Sequence, residues 1–307
     1  MKTENIFEQW LKPLSLETFQ QDYLDQKFLH HASKRGKKAI DWINLNRLLE
    51  QSAFWTCDNF KLYFNKEPVP ITQYCTQVPS HQGQMIYRPH PPAVQHWLSQ
   101  GGSLVLNDVE SLVPDIKRLA GCLRQTFGGQ IQANLYASMN AIPAFDSHFD
   151  VHDVFVFQAE GQKVWRLYAQ RFEAPIAHPK FDQFTQAQHD QAKGALLAEI
   201  TLRPGDFLYI PRGFYHDALA TQGPSMHVTL GLARPIGLDL ISLLFEAALD
   251  HASFRHYLNP HNLPKNCGVL MNHLAEIIKE DTFQTKVQQL FQTEQEVSLY
   301  SLPHFKK

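Results

Sequence analysis

Apolar positions near the start of the chain recur at helical spacing. Leu16, Phe19 and Tyr23 fall on one face behind Ser15, whose hydroxyl suits a helix N-cap, so the stretch SLETFQQDYLDQKFLHH (15–31) predicts a helix. DWINLNRLLEQS (41–52) predicts a second, shorter one. Residues 53–104 carry several prolines and show no clear period. A stronger helix follows, with Leu112, Ile116, Leu119, Leu123 and Phe127 on one face and Gly128-Gly129 as its stop. The texture then changes. IQANLYASM, DVFVFQ, KVWRLY, AEITL, DFLYI and MHVTLGLA are short, rich in β-branched and aromatic residues, and separated by turn sequences such as AEGQ, RPGD and PRGF. Six such segments in succession predict an antiparallel barrel or sandwich. From Ile236 the helical period returns, in LDLISLLFEAALDHA, GVLMNHLAEIIKE and TFQTKVQQLFQ. The pattern as a whole predicts a helical lead-in, a β core and a helical tail.

Composition narrows the function classes. In 307 residues, 28 basic and 30 acidic side chains leave a net charge of −2, so no broad cationic surface for nucleic acid is indicated. The four cysteines, at 57, 75, 122 and 267, form no CxxC pair, which argues against a zinc knuckle or a disulfide framework. MKTENIFEQWLKPLS has charges on both sides of short apolar stretches and predicts no signal peptide. No run approaches the ~20 apolar residues of a membrane span. A soluble cytoplasmic protein is expected.

The chemistry concentrates in SHFDVHDVFVFQAEGQKVWRLY (147–168). On an extended strand His148 and Asp150 leave the same face, and an imidazole with a carboxylate can hold adjacent positions on a divalent metal. A third ligand is available from His216 after the PRGFY turn, or from His227 on the last strand. Two histidines and one carboxylate leave open positions, as in non-haem Fe(II) enzymes, whereas a closed structural zinc site favours cysteines. The AEGQ turn predicts a hairpin that returns KVWRLY alongside DVFVFQ, with Lys163, Trp165 and Leu167 on one face. A lysine facing inward needs an anion, while a lysine at a barrel rim needs none. His152 and Asp153 read equally as supporting partners of a metal site or as a surface pair.

The stretch 147–168, with PGDFLYIPRGFYHDAL and MHVTLGL behind it, resembles the Jumonji-C, cupin-like 2-oxoglutarate oxygenases, and among them the bacterial ribosomal-oxygenase-like group. The resemblance runs from about 15 to 235. It implies a double-stranded β-helix (cupin or jelly-roll) barrel, mainly β with flanking helices, over residues 1–235. It further implies a helical dimerisation region over 236–307. His148, Asp150 and His216 would be Fe(II) ligands. Lys163 would bind the distal carboxylate of 2-oxoglutarate with help from Tyr136, and His227 and Thr229 would lie near metal and cofactor. The implied activity is an O2-dependent hydroxylation of a side chain in a protein or peptide by a homodimer. A small-molecule oxygenase and a non-catalytic metal-binding cupin stand as alternatives. The 72 residues after Pro235 depart from the group, because they contain no strand pair of the kind a winged-helix module needs. In the tail, Leu240, Leu243, Leu244, Ala247 and Ala248 form the apolar stripe expected to serve dimerisation through 236–258.

Overall fold

The computed structural model describes residues 6–32, 38–80, 82–140, 142, 144–181, 183–220 and 223–291. The strands are β1 (Leu29–His31), β2 (Phe60–Phe64), β3 (Glu67–Pro68), β4 (Cys75–Pro79), β5 (Met85–Pro89) and β6 (Ser103–Leu106). They continue with β7 (Gln130–Ser138), β8 (Asp153–Glu160), β9 (Lys163–Arg171), β10 (Leu196–Leu202), β11 (Phe207–Ile210), β12 (Phe214–Ala220) and β13 (Ser225–Ala233). The helices are α1 (Ile6–Leu11), α2 (Leu16–Asp22), α3 (Trp42–Leu49), α4 (Pro91–Ser99), α5 (Pro114–Phe127) and α6 (Gln186–Ala192). After the last strand come α7 (Gly237–Ala248), α8 (Ala252–Arg255), α9 (Leu263–Lys279) and α10 (Asp281–Phe291).

An eight-stranded sheet has the order β1-β11-β8-β13-β7-β6-β2-β3, and a three-stranded sheet the order β10-β9-β12. Val154, Val156, Leu208 and Ile210 of the large sheet pack with Trp165, Leu167 and Leu202 of the small one, so the two sheets enclose the core between them. The alternate residues of β8 and β11 point the other way. There Phe155, Phe157, Phe207 and Tyr209 meet the helical lead-in, with ring centroids 5.5 Å apart for Phe7–Phe155, 4.8 Å for Trp10–Phe157 and 4.9 Å for Phe19–Tyr209. β8 is therefore buried on both faces, which explains why DVFVFQ reads as a continuous apolar run.

Two local expectations change. The helix predicted over 15–31 keeps its cap, with Ser15 Oγ accepting from the Thr18 amide at 3.0 Å, but ends at Asp22. Asp25 then adopts a left-handed conformation (φ 59°) and donates its amide to Tyr209 Oη, which turns the chain into β1 on the edge of the large sheet. The AEGQ turn forms, but β8 and β9 are not hydrogen-bonded partners: β8 pairs with β11 and β13, and β9 with β10 and β12. Gly161 carries the chain from one sheet to the other at φ 61°, so close to the neighbouring strand that a Cβ would lie 2.0 Å from the Pro224 carbonyl. Gln158 fastens the crossing by donating to the Glu160 carbonyl and to Ser225 Oγ. Lys163, Trp165 and Leu167 do share the inward face. Residues 53–104, which show no period, supply five strands and α4. β4 and β5 form a largely exposed ribbon of their own, where no buried face imposes alternation.

The chain divides into two compact units: residues up to 122 with 131–233, and residues 123–130 with those from 234 onward. Within the second unit, Leu243, Leu244, Ala247 and Ala248 pack with Ile277 and Phe283 of α9 and α10. Most of the stripe expected to serve dimerisation is thus spent inside this unit. The exposed face of α7 is a different one, carrying Leu238, Ile241, Phe245 and Leu249.

Candidate metal and anion site

The ligand-bearing stretch 147–152 precedes β8 and is not part of a regular ladder, so His148 and Asp150 owe their common direction to tethers. One isolated bridge joins His148 to His216, with reciprocal N–H···O bonds of 3.0 and 2.8 Å. The 211–213 turn completes the hold. The Gly213 amide donates to the Asp150 carbonyl at 2.8 Å, and the Arg212 amide to Asp153 Oδ1 at 3.0 Å. Asp153 is buried and fixes this turn, so it is no surface residue. Gly213 has φ 82°, and a Cβ there would lie 2.1 Å from the Phe172 carbonyl.

Both histidines are oriented through Nδ1. His148 Nδ1 lies 2.8 Å from the Asp146 carbonyl and His216 Nδ1 2.9 Å from the Phe214 carbonyl. A carbonyl can only accept, so each Nδ1 carries a hydrogen and each Nε2 is the nitrogen turned toward the cluster. Ligand atoms of His148, Asp150 and His216 all lie within 4.8 Å of one another, with His216 Nε2 3.4 Å from Asp150 Oδ2. Among the described residues no other such cluster occurs. It contains His216 and leaves out His227.

The charges suit a cation. Burial alone would raise the Asp150 pKa, but the contact with His216 outweighs it and holds the carboxyl below its ordinary range. Burial would lower His216, and the same contact raises it. His148 is lowered by burial and then by the His216 charge, so it is a neutral donor. A neutral imidazole, a carboxylate and a second imidazole converging from one side match an open Fe(II)-type site.

The same cavity, of about 390 Å³, is lined by Lys163, Tyr136, His227 and Thr229 as well as the three clustered side chains. On the small sheet His216 stands opposite Leu167 and Ala220 opposite Lys163, which puts Lys163 about four residues, roughly 13 Å of strand, along the sheet from His216. Lys163 is only 5% exposed, and no carboxylate among the described residues pairs with it. Burial lowers its pKa to about 8. His227 stacks on Tyr136 at 4.8 Å and is kept neutral by burial and by the Lys163 charge. The Tyr136 hydroxyl is pushed up to about 12 by burial and then by Asp150, while Thr229 and Asn134 beside it act in the opposite sense. Three buried polar atoms around the cavity lack partners: Trp165 Nε1, His227 Nδ1 and Asn134 Oδ1.

All seven residues singled out in the sequence meet at this cavity. Sequence reasoning passed over Gln132, Asn134 and Phe145, which also line it. Gln132 and Asn134 share a strand face with Tyr136, so the period of β7 carried the signal. Phe145 sits in a loop and carried none. His152 lines the cavity too, its ring against Gly231, where a Cβ would come within 2.8 Å of it.

Residues 111–240 match the sequence profile of the JmjC domain. The chain is 32% identical over 206 residues to Ribosomal oxygenase 1 of Gallus gallus, covering 65% of this chain and 34% of that protein. It is 31% identical over 179 residues to the bifunctional lysine-specific demethylase and histidyl-hydroxylase NO66 of Aedes aegypti, covering 57% and 28%. The chain therefore spans about a third or less of the length of these relatives. Among solved structures, the ribosomal oxygenase YcfD from Escherichia coli in complex with cobalt and 2-oxoglutarate aligns with a TM-score of 0.59 and 19% identity, over 91% of this chain and 70% of that one. The complex of YcfD with cobalt and succinic acid aligns with a TM-score of 0.61 and 18% identity, over 93% and 73%. The fold is thus a cupin-like jelly roll, mainly β with flanking helices.

Proposed function

We propose that this protein is an Fe(II)- and 2-oxoglutarate-dependent oxygenase that hydroxylates a side chain in a protein or peptide, a ribosomal protein being the first candidate. One observation carries the reading. A buried lysine without a counter-anion shares a cavity with a preorganised His-Asp-His cluster, and a dicarboxylic keto acid that reaches from one to the other answers both needs. Similarity to a ribosomal oxygenase and to a histidyl-hydroxylase supports a polypeptide substrate.

His148, Asp150 and His216 would hold Fe(II), and Lys163 would pair with the distal carboxylate of 2-oxoglutarate. The Tyr136 hydroxyl and Thr229, which line the same cavity, would assist Lys163. Bound together, the metal and the keto acid supply O2-dependent oxidation of a substrate C–H bond, with release of succinate and carbon dioxide. The chain's own work is to fix geometry, to neutralise the cofactor's charge and to shield the reacting centre from water. Trp165 and the neutral His227 form the wall between the two binding groups.

In this reading residues 1–235 form the oxygenase domain, and the helical region 236–307 joins two copies into a cytoplasmic homodimer. The exposed apolar face of α7, within 236–258, supports that assembly. Anaerobic addition of 2-oxoglutarate to the Fe(II) protein should give the visible charge-transfer band of a chelated keto acid, and its absence would defeat the oxygenase reading. Proteomes from cells carrying wild-type protein and His148→Ala should then differ at a single hydroxylated residue. A change confined to a metabolite would replace the peptide substrate by a small molecule.

A further inference from the structure

Ser147 and Phe149 alternate with His148 and Asp150. Where the ligands turn toward the cavity, these two side chains turn away from it, and both meet the same element. That element is the stretch from Phe172 to Lys193 between β9 and β10, which carries α6. Ser147 is 4% exposed, and its Oγ lies 3.0 Å from Asp190 Oδ1 and 3.0 Å from Lys193 Nζ. Its carbonyl accepts from Gln186 Nε2 at 3.1 Å. Asp190 and Lys193 are themselves paired at 2.7 Å. Phe149 stacks on Phe172 at 4.9 Å and meets the edge of the His189 ring at 5.5 Å. The Phe172 amide donates to the Gly213 carbonyl at 2.8 Å, so the same stretch also grips the turn that leads to His216. Thr185 and Gln188 fix α6 with a reciprocal capping box.

These contacts fall where the sheets give least support, since the ligand stretch has a single bridge of its own. From this we infer that the Phe172–Lys193 stretch is a buttress for the metal site, and that Ser147 is a positioning residue that holds His148 through Asp190 and Lys193. The inference rests on the metal reading of the His148, Asp150 and His216 cluster. A stretch that merely covered the small sheet would stabilise the fold without affecting a metal. A buttress reduces the conformational freedom that the ligands lose when a metal binds, so its removal weakens binding even in a folded protein.

Co(II) is the probe, titrated through its visible ligand-field absorption against full-length protein. Asp190→Ala and Ser147→Ala are each expected to weaken Co(II) binding about tenfold, the lower end of what outer partners of metal ligands cost, and to alter the band shape. Asp190→Asn keeps an acceptor for Ser147 and should recover part of the loss. Asp115→Ala, which breaks a more exposed i,i+3 pair with Arg118 on α5, should leave affinity and spectrum unchanged. The apo-protein melting midpoint is recorded for each variant. Because Asp190 is exposed, its variant should melt near the wild type, so the lost affinity cannot be charged to unfolding. Wild-type affinity and spectrum in Asp190→Ala and Ser147→Ala, with or without a lower midpoint, would overturn the buttress and leave the oxygenase reading standing. Failure of the wild type to bind Co(II) would overturn the metal reading itself, and the buttress with it.

Discussion

The two ends of the cavity are built in opposite ways. At the Lys163 end the side chain sits on a regular strand with ladder partners on both sides, and only its charge lacks an answer. At the metal end the backbone is irregular, yet each histidine nitrogen that does not face the cluster is tied to a carbonyl. One end is rigid in position and incomplete in charge. The other is complete in its hydrogen bonds and depends on tethers for its position. The contrast teaches that a charge can be delivered by a strand register alone, whereas three converging ligands need tethers from several elements.

The largest effect should come from removing a ligand. Asp150→Ala and His216→Ala are each expected to lower Fe(II) or Co(II) affinity by more than about a hundredfold, beyond the range for supporting groups, in a metal titration. His227→Ala should retain the metal. If it lost the metal while His216→Ala kept it, the division between the two ends would be drawn in the wrong place.

Lys163→Ala breaks the other end. It should weaken 2-oxoglutarate by roughly 30-fold or more, because a carboxylate is left buried without its partner, while metal affinity stays near wild type. Isothermal titration of the Co(II) protein with 2-oxoglutarate would read both numbers. Equal losses of metal and keto acid would mean that the two ends are not separable.

A pH series sharpens the comparison with a smaller change. Burial lowers Lys163 to about 8, while in the unfolded chain the lysine keeps its proton to about 10.4. Between those values the unfolded state binds more protons, so the empty protein should gain stability as pH rises through this window. Binding of a carboxylate needs the ammonium form and should weaken above about pH 8, by up to tenfold per unit. Thermal melts and 2-oxoglutarate titrations at pH 7 to 9.5 should therefore move in opposite directions. Parallel trends would remove Lys163 as the cause.

The smallest effect on either end is expected from Phe245→Glu, which places a charge on the exposed apolar face of α7. Light scattering at micromolar concentration should show a dimer for the wild type and a monomer for the variant, with metal and keto-acid affinities within about twofold of each other. A monomeric wild type would end the dimer proposal and leave the cavity untouched.

Much of the site could be read from local order. The HFD spacing marked two candidate ligands, the PRGFYH turn and the last strand each offered a third, and alternation in KVWRLY put Lys163 inward. Phe145 and the hold of Asp153 on the Arg212 amide could not be read, since a loop has no period and a contact between residues 59 apart leaves no local mark. The helix forecast over 15–31 overran because its apolar spacing continues past Asp22, while the chain is turned by a bond from the Asp25 amide to Tyr209, 184 residues away.

By itself the sequence determined the order of helical and extended segments and the set of side chains able to hold a metal and an anion. Periodicity records which face of a segment is buried, and that is a local quantity. Only the tertiary structure decided that β8 and β9 belong to different sheets, that His216 rather than His227 completes the cluster, and which face of α7 is left exposed. Those outcomes depend on which distant segment supplies the other half of each hydrogen bond and each apolar contact. The chain must close before that partner exists.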